Sequence, residues 1–378
     1  MPIRIDCIVG ARPNFVKIAP ILRALAARGG FRARLIHTGQ HYDAQMSRHF
    51  FEDLSIPEPD LFLGVGPGTH ARQTARIMEA FEPALLADFP RLVLVVGDVN
   101  STLACALVAA KLGVPVAHVE AGLRSFDRTM PEELNRLLTD QLADLLFTTS
   151  RDADENLKRE GVAAGKIRFV GNVMIDTLLA SLPLAAGRAP LARLGIEGRP
   201  YALATIHRPS NVDGVAELAR TLEILAGVAR RLPLVFPIHP RTEKRAEELG
   251  LRDRLHAMGG LVLTPPLRYL EFLDLMRGTR LVLTDSGGIQ EETAVLGVSC
   301  LTLRPNTERP VTIAAGTNRL VGVEPRAVLA AADEALAAPP LASPPVIEGW
   351  DGHAAERIAA ELARFFEEDG HAHRDGAR

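Results

Sequence analysis

The feature that most limits what this chain can become is an alternation, made twice, of short apolar β-branched runs with longer helical segments. Parallel neighbours need a helix-length crossover, so this alternation produces parallel sheets covered by helices on both faces. In the first half, strands are expected at 3–9, 34–38, 92–96, 115–119, 145–148 and 167–170. Helices are expected between them at 15–27, 70–87, 102–111, 132–142 and 151–160, with Gly113 and Pro115 stopping the third. Residues 180–200 are rich in Pro, Gly and Ala and lose the period, and then the alternation restarts. The second set of strands is expected at 202–206, 234–238, 261–264, 281–284 and 299–303. The pattern predicts an α/β protein of two doubly wound domains, 1–180 and 181–350, facing each other across a cleft. Ligands of such sheets sit at the carboxyl ends of the strands. In segment 351–378 an amphipathic helix over 354–367 is expected to cross back to the first domain, followed by a frayed polar tail from Glu368. No internal repeat of 20–50 residues is evident.

A length of 378 residues gives each half room for a core, and 47% hydrophobic against 24% charged residues is globular rather than disordered. The net charge of −3 and pI of 6.4 leave no general field for nucleic acid or an anionic membrane. A local cluster of arginines around a small anion is still compatible with that balance. Apolar runs such as 103–110 fall far short of the ~20 residues that span a bilayer. The first strand begins at Ile3 with no basic leader before it. Cys7, Cys105 and Cys300 are widely spaced in apolar contexts, which reads as three buried thiols rather than a zinc site or a disulfide framework. These features together lead to the expectation of a cytoplasmic protein.

Several strand ends carry residues suited to chemistry. The first runs into Gly10-Ala-Arg12-Pro-Asn-Phe-Val-Lys17, where Gly10 allows a tight turn and Pro13 suits a first helical turn. Arg12 and Lys17 would add two charges beside a helix N-terminus, a setting for phosphate, although solvated charges flanking a helix give the same string. The run 92–96 is followed by Gly97 and Asp98, and Ser101 and Thr102 are better placed than Asp98 to cap the next helix. Glu120 directly follows an apolar strand, where a charge is costly unless paired or functional. Glu132 and Glu133 follow Pro131 in a first helical turn, which also suits a mere dipole complement. Three acids at one edge, Asp98, Glu120 and Glu132, match the needs of proton abstraction and return.

In the second half, His207-Arg208 and His239 stand just past strand ends. The strongest local signal is Thr284-Asp-Ser286-Gly287-Gly288-Ile-Gln-Glu291-Glu292. There a strand ends, two glycines let the backbone approach a ligand, and a helix begins with free N–H groups able to cradle phosphate oxygens. Glu292, farther along that helix, suits the hydroxyls of a ribose. The Pro-bounded loop 304–310 can aim Arg309 at a diphosphate.

Taken together, the motifs closely resemble those of the non-hydrolysing UDP-N-acetylglucosamine 2-epimerases, which have the Rossmann-like two-domain GT-B fold. The likeness runs from Gly10-Ala-Arg-Pro to Gly316-Thr-Asn-Arg-Leu-Val-Gly322 and includes His118-Val-Glu-Ala-Gly-Leu-Arg124, Pro131-Glu-Glu, His207-Arg208, 285–292 and Thr307-Glu-Arg-Pro310. The resemblance implies reversible conversion of UDP-N-acetylglucosamine to UDP-N-acetylmannosamine. UDP is eliminated to leave 2-acetamidoglucal and then re-added, with no cofactor and no metal. It assigns Asp98, Glu120 and Glu132 to acid–base work, leaving open which acid serves which face. It assigns His207 to binding and protonating the diphosphate, and Arg12, Lys17, Arg309 and the Ser286–Gly288 amides to stabilising its charge. His239 falls among the substrate-binding residues, Glu292 on the uridine ribose and Phe272 near the uracil. Family precedent adds a homodimer and a place in surface polysaccharide synthesis.

Departures from the family pattern are Ala11 and Asn14, where many members have Thr and Glu. Gln40-His41 begins an activation motif seen in bacterial members, but Tyr42-Asp-Ala-Gln45 continues it differently. The stretch 123–127 also resembles epimerases of UDP-2,3-diacetamido-glucuronic acid, whereas 308–310 favours the simpler substrate. A glycosyltransferase, a non-catalytic UDP-sugar sensor and a hydrolysing epimerase that releases free N-acetylmannosamine are the remaining alternatives.

Overall fold

The computed structural model describes residues 2–40 and 51–375, with side chains as far as Glu368. The chain divides into two compact units, Met1–Leu179 with Glu348–Arg378, and Ala180–Ile347.

In the first unit, β1 (Ile3–Val9), β2 (Phe31–His37), β3 (Leu61–Phe62), β4 (Leu92–Val96), β5 (Val116–Ala121), β6 (Leu145–Thr148) and β7 (Ile167–Phe169) form one parallel sheet. Its order is β3-β2-β1-β4-β5-β6-β7. The connecting helices are α1 (Arg12–Arg28), α2 (His70–Ala87), α3 (Asn100–Lys111), α4 (Pro131–Leu142) and α5 (Arg151–Arg159), with α6 (Val173–Ala185) after β7. Every residue of β4, β5 and β6 is buried, as strands covered on both faces require. From β1 the chain first builds outward on one side and then returns to build on the other. The order therefore reverses between β1 and β4, and the loops after those strands diverge to leave a crevice at their carboxyl ends.

The second unit repeats the plan with β8 (Ala202–Thr205), β9 (Leu234–Pro237), β10 (Leu261–Thr264), β11 (Leu281–Thr284), β12 (Cys300–Thr302) and β13 (Asn318–Leu320). Its order is β10-β9-β8-β11-β12-β13, again parallel, with the reversal between β8 and β11. The helices are α7 (Pro209–Val212), α8 (Val215–Ala229), α9 (Pro240–Glu248), α10 (Arg252–His256), α11 (Tyr269–Gly278), α12 (Gly287–Leu296), α13 (Val311–Ala314) and α14 (Pro325–Ala337).

The chain then returns to the first unit as α15 (Ala354–Asp375). Asp176 accepts hydrogen bonds from the Ala354 and Ala355 amides at 3.1 and 2.7 Å, capping that helix. Trp350 Nε1 donates to the Thr149 carbonyl at 2.9 Å, and Arg168 pairs with Glu361. The helix continues to Asp375, beyond the stop expected at 367, and residues 376–378 lie outside the described residues.

Three further local expectations need correction. The edge strands β3 and β13 were not expected, because runs of two and three residues carry no period. Helix α6 persists to Ala185, into the segment expected to break at 180, since Pro183 near its end leaves most of the helical bonds intact. Helix α3 starts at Asn100 with Val99 as its N-cap, so Ser101 and Thr102 lie inside the first turn rather than capping it. Thr102 Oγ1 instead donates to the Val96 carbonyl at 3.0 Å, and Ser101 Oγ bonds Gln40 Oε1 at 2.7 Å. The motif residues His41–Gln45 lie outside the described residues. All three cysteines are buried and free.

Gly171 is where the returning segment meets the sheet: its φ is +85°, and an added Cβ would overlap the Gly349 carbonyl oxygen. Gly187 has a similar φ of +75° but open space around it. Left-handed backbone costs a non-glycine residue about 1–2 kcal/mol, and overpacking adds about 1–3 kcal/mol. Gly171→Ala is therefore expected to lose clearly more stability than Gly187→Ala in urea unfolding, and equal losses would show that the contact yields.

Candidate active site

The carboxyl ends of β1, β4 and β5 collect most of the charged groups expected in the first half. After β1, Asn14 Oδ1 accepts from the Gly10 and Ala11 amides, both at 3.0 Å, while its Nδ2 donates to the Val96 carbonyl at 3.0 Å. Asn14 thus satisfies the start of α1 and ties it to the end of β4 with an uncharged side chain. Arg12 is exposed at the start of α1. Lys17, one turn beyond Pro13, is buried and forms an ion pair with Glu120, which is 4% exposed.

Glu120 sits where β5 shifts register against β6, with φ +73°. A glutamate in the left-handed region is strained, and the bulge re-aims its side chain. Gly97 makes room for the pair. Its φ is +67°, and a Cβ there would lie 2.9 Å from Lys17 Nζ and 3.4 Å from Glu120 Oε2.

The other two acids have different surroundings. Asp98, partly buried, pairs with Arg136 Nη1, and its carbonyl accepts from Asn135 Nδ2 at 2.8 Å. Glu132, half-buried in the first turn of α4, makes no hydrogen bond or ion pair among the described residues. It stands four residues before Arg136 and so shares that helix face. Its neighbour Glu133 is a different kind of residue: it accepts from the Ser125 amide and hydroxyl at 2.9 Å each and from the Phe126 amide at 3.0 Å, and pairs with Arg136 at 2.6 Å. Burial pushes the Glu133 carboxyl up, but the Ser125 amide and the Arg136 guanidinium more than offset it, leaving it below the usual range.

Beneath these acids lies a network that sequence reading did not single out. His118 is fully buried, with Nδ1 2.6 Å from Asp140 and Nε2 2.8 Å from the Gly97 carbonyl. Asp140 is also bonded by Arg124, which reaches Glu160 as well. Burial opposes the Asp140 charge, but His118 and Arg124 hold its carboxyl below the ordinary range. The network fixes the Gly97-Asp98 peptide from behind.

In the second unit the switch point between β8 and β11 brings His207-Arg208 beside Asp285. The Asp285 carboxylate is fully buried and accepts from the amides of His207 and Arg208 and from Asn211 Nδ2, the last two at 2.8 and 2.9 Å. The His207 and His239 rings stack with centroids 5.4 Å apart, and His239 Nδ1 caps α9 by accepting from the Arg241 amide at 3.1 Å.

Helix α12 begins at the Ser286-Gly287-Gly288 turn, where Ser286 is the N-cap without a side-chain cap bond. Arg309 packs so closely on this turn that a Cβ on Gly287 would overlap its Nη1. Its charge is balanced by Glu291 at 2.8 Å and Glu308 at 3.6 Å, and Arg304 binds Glu308 at 2.8 and 3.0 Å. Glu292 is buried and accepts from the Tyr269 hydroxyl at 3.2 Å. Phe272, half-buried, lies one turn beyond Tyr269 on α11. Sequence reading missed Asn14, Arg136, His118, Asp140 and Asp285. Arg136 carried a local signal in its i,i+3 and i,i+4 spacing to two glutamates, and Asp285 stood inside the 284–292 motif without a role of its own.

Among the described residues, no cluster of three or more His, Cys, Asp or Glu side chains is arranged to hold a metal, and no helix is long and apolar enough to cross a membrane.

Two Rossmann-like units, one with acids and one with a glycine-led helix N-terminus at their switch points, define a protein of the GT-B class. The profile of the family described as UDP-N-acetylglucosamine 2-epimerase matches residues 23–363. A UDP-N-acetylglucosamine 2-epimerase from Methanocaldococcus jannaschii is 45% identical over 84% of this chain and 88% of its own length. A UDP-2,3-diacetamido-2,3-dideoxy-D-glucuronate 2-epimerase from Pseudomonas aeruginosa is 41% identical over 96% of this chain and 100% of its own. A crystal structure of the Methanocaldococcus jannaschii UDP-GlcNAc 2-epimerase in complex with UDP-GlcNAc and UDP is similar with a TM-score of 0.89 at 41% identity, covering 96% of this chain and all of that one. The chain belongs to the UDP-N-acetylglucosamine 2-epimerase family.

Glu308 gives a test of the charge balance in the second unit. Burial pushes its carboxyl up, but Arg304, Arg309 and Arg208 hold it well below the usual range. A depressed folded value means that its stabilising effect is present above the unfolded value of about 4.3 and is lost as pH falls through the folded value. Glu308→Gln is expected to cost about 3–5 kcal/mol at pH 7 in chemical denaturation, by leaving buried guanidinium groups unpaired. The gap to the parent should narrow below about pH 4. A gap that stays constant to pH 3 would contradict this.

Proposed function

We propose that this chain inverts C2 of a UDP-linked 2-acetamido sugar, interconverting UDP-N-acetylglucosamine and UDP-N-acetylmannosamine. Membership of the family supports this. The observation that carries it is the set of three carboxylates in unlike settings: Glu120 paired with buried Lys17, Asp98 with Arg136, and Glu132 with no partner among the described residues. Acids in different environments are what a proton removed from one face and returned to the other requires.

In this scheme a carboxylate takes the C2 proton. The electron pair of the C–H bond forms the C1–C2 double bond, and the C1–O bond breaks with its pair going to the diphosphate oxygen. 2-Acetamidoglucal and UDP stay bound until UDP re-adds and a proton reaches the opposite face of C2. Asp98, Glu120 and Glu132 supply the acids and bases. Arg12, Lys17, Arg309, His207 and the Ser286–Gly288 amides take up the charge of the departing diphosphate, the largest electrostatic demand of the reaction. His207 also protonates it, with His239 stacked alongside. Glu292, held by Tyr269, takes the ribose and Phe272 lies near the uracil. The net change is neither oxidation nor reduction, and in this scheme side chains and backbone amides handle every proton and charge.

The full-length similarity to the diacetamido-glucuronate epimerase and the stretch Leu123-Arg-Ser-Phe-Asp127 favour that UDP-sugar as the second substrate to test. We also place the chain in the cytoplasm, which its three free buried thiols suit. It acts there as a homodimer supplying surface polysaccharide synthesis.

Proton NMR in D2O with each UDP-sugar tests the proposal. Deuterium is expected at C2 while the epimer grows to equilibrium, and no exchange with either substrate would refute it. Asp98→Asn, Glu120→Gln and Glu132→Gln are each expected to lower turnover ~10²-fold or more while UDP binding by calorimetry persists. Undiminished turnover in all three would remove the acid–base scheme.

A further inference from the structure

We propose that Asp285 is a positioning residue that acts through His207, holding the ring with a proton on Nδ1 so that Nε2 is the nitrogen that serves the departing diphosphate. This rests on the role given to His207 above. Asp285 is fully buried, so it cannot touch a ligand itself. It lies at the end of β11, beside the end of β8, where it gathers the turn that carries His207. The His207 amide donates to it at 3.0 Å, the Arg208 amide at 2.8 Å and Asn211 Nδ2 at 2.9 Å. Arg208 Nε donates to its carbonyl at 2.9 Å.

The carboxylate that fixes the turn also faces the ring, with Oδ1 3.4 Å from His207 Nδ1. An ionised carboxylate only accepts, so this approach is favourable when Nδ1 carries the proton. The distance is long for a hydrogen bond, as pairs of this kind are before a ligand draws them together. The ring itself is 41% exposed and so remains open to a ligand. With Nδ1–H facing Asp285, Nε2 holds the second, transferable proton, and the buried anion stabilises the imidazolium that carries it.

The stacked neighbour shows why the pairing matters. His239 Nδ1 accepts from the Arg241 amide, so in its neutral form its proton is on Nε2. The groups facing His207 include Asp285, the His239 ring and Arg208, which follows it in the chain and is drawn toward Glu308 at 3.5 Å. Asp285 is a buried anion 3.4 Å from Nδ1, and its charge favours the protonated ring. His239 and Arg208 act in the opposite sense.

A double-mutant cycle tests the proposal. Asp285→Asn is expected to lower kcat ~10–100-fold with KM changed less than ~3-fold, and to move the alkaline limb of the kcat–pH profile to lower pH. In a His207→Asn background the same substitution should change kcat less than ~2-fold, because the group it acts through is gone. Independent, multiplying losses, or an unaltered kcat in Asp285→Asn, would overturn the proposal while leaving His207 in its role. Full turnover in His207→Asn would overturn both. Nitrogen-15 NMR of the imidazoles of the unaltered protein serves if Asp285→Asn does not fold. A protonated Nδ1 on His207 at neutral pH is expected, and an unprotonated Nδ1 would contradict the proposal.

Discussion

A lysine and a glutamate buried together under a glycine are the arrangement on which the first unit's site depends. Moving either charge alone out of water costs several kcal/mol, and their mutual attraction offsets this only at close range. Lys17 therefore holds Glu120 at the end of β5, and Glu120 holds Lys17 against α1. The backbone gives way to permit it: Glu120 takes φ +73° at a register shift, and Gly97 takes φ +67° where a side chain would press on the lysine nitrogen. Strain of this kind persists where the surroundings over-determine it. Here they do so through β4, β5, the Asn14 bonds to the ends of β1 and β4, and His118 under the Gly97 carbonyl.

The second unit solves a different electrostatic problem with the same topology. A guanidinium beside a helix N-terminus is opposed by the helix dipole. Arg309 is nevertheless packed on the first turn of α12, because Glu291 and Glu308 stand behind it and Arg304 balances Glu308 in turn. The cost of gathering cations is thus met by buried anions.

Much of the fold was legible because fully buried parallel strands are short apolar runs bounded by turn residues. The runs at β1, β4, β6, β10 and β11 stand in the structure as the sequence marks them. What was illegible is tertiary in origin. The strands β3 and β13 exist only through pairing with β2 and β12. Ser101 and Thr102 look like caps, yet their hydroxyls answer to Gln40 and to the Val96 carbonyl. The pair Glu132-Glu133 shows the limit most clearly. Adjacent in sequence and alike in chemistry, one points into a nest of Ser125, Phe126 and Arg136 donors while the other is left without a partner among the described residues. Asp285 was visible as part of a motif, but its grip on the His207 turn depends on β8 lying next to β11.

In the proposed reaction, cationic and amide groups receive a departing diphosphate while carboxylates move the C2 proton. Positional isotope exchange tests the departure of the diphosphate without altering the protein. With oxygen-18 in the bridge between C1 and the β-phosphorus of UDP-N-acetylglucosamine, reversible C1–O cleavage lets the freed diphosphate rotate before it re-adds. The label should then appear in non-bridging positions of recovered substrate. Epimerisation with the label retained wholly in the bridge would rule out C1–O cleavage.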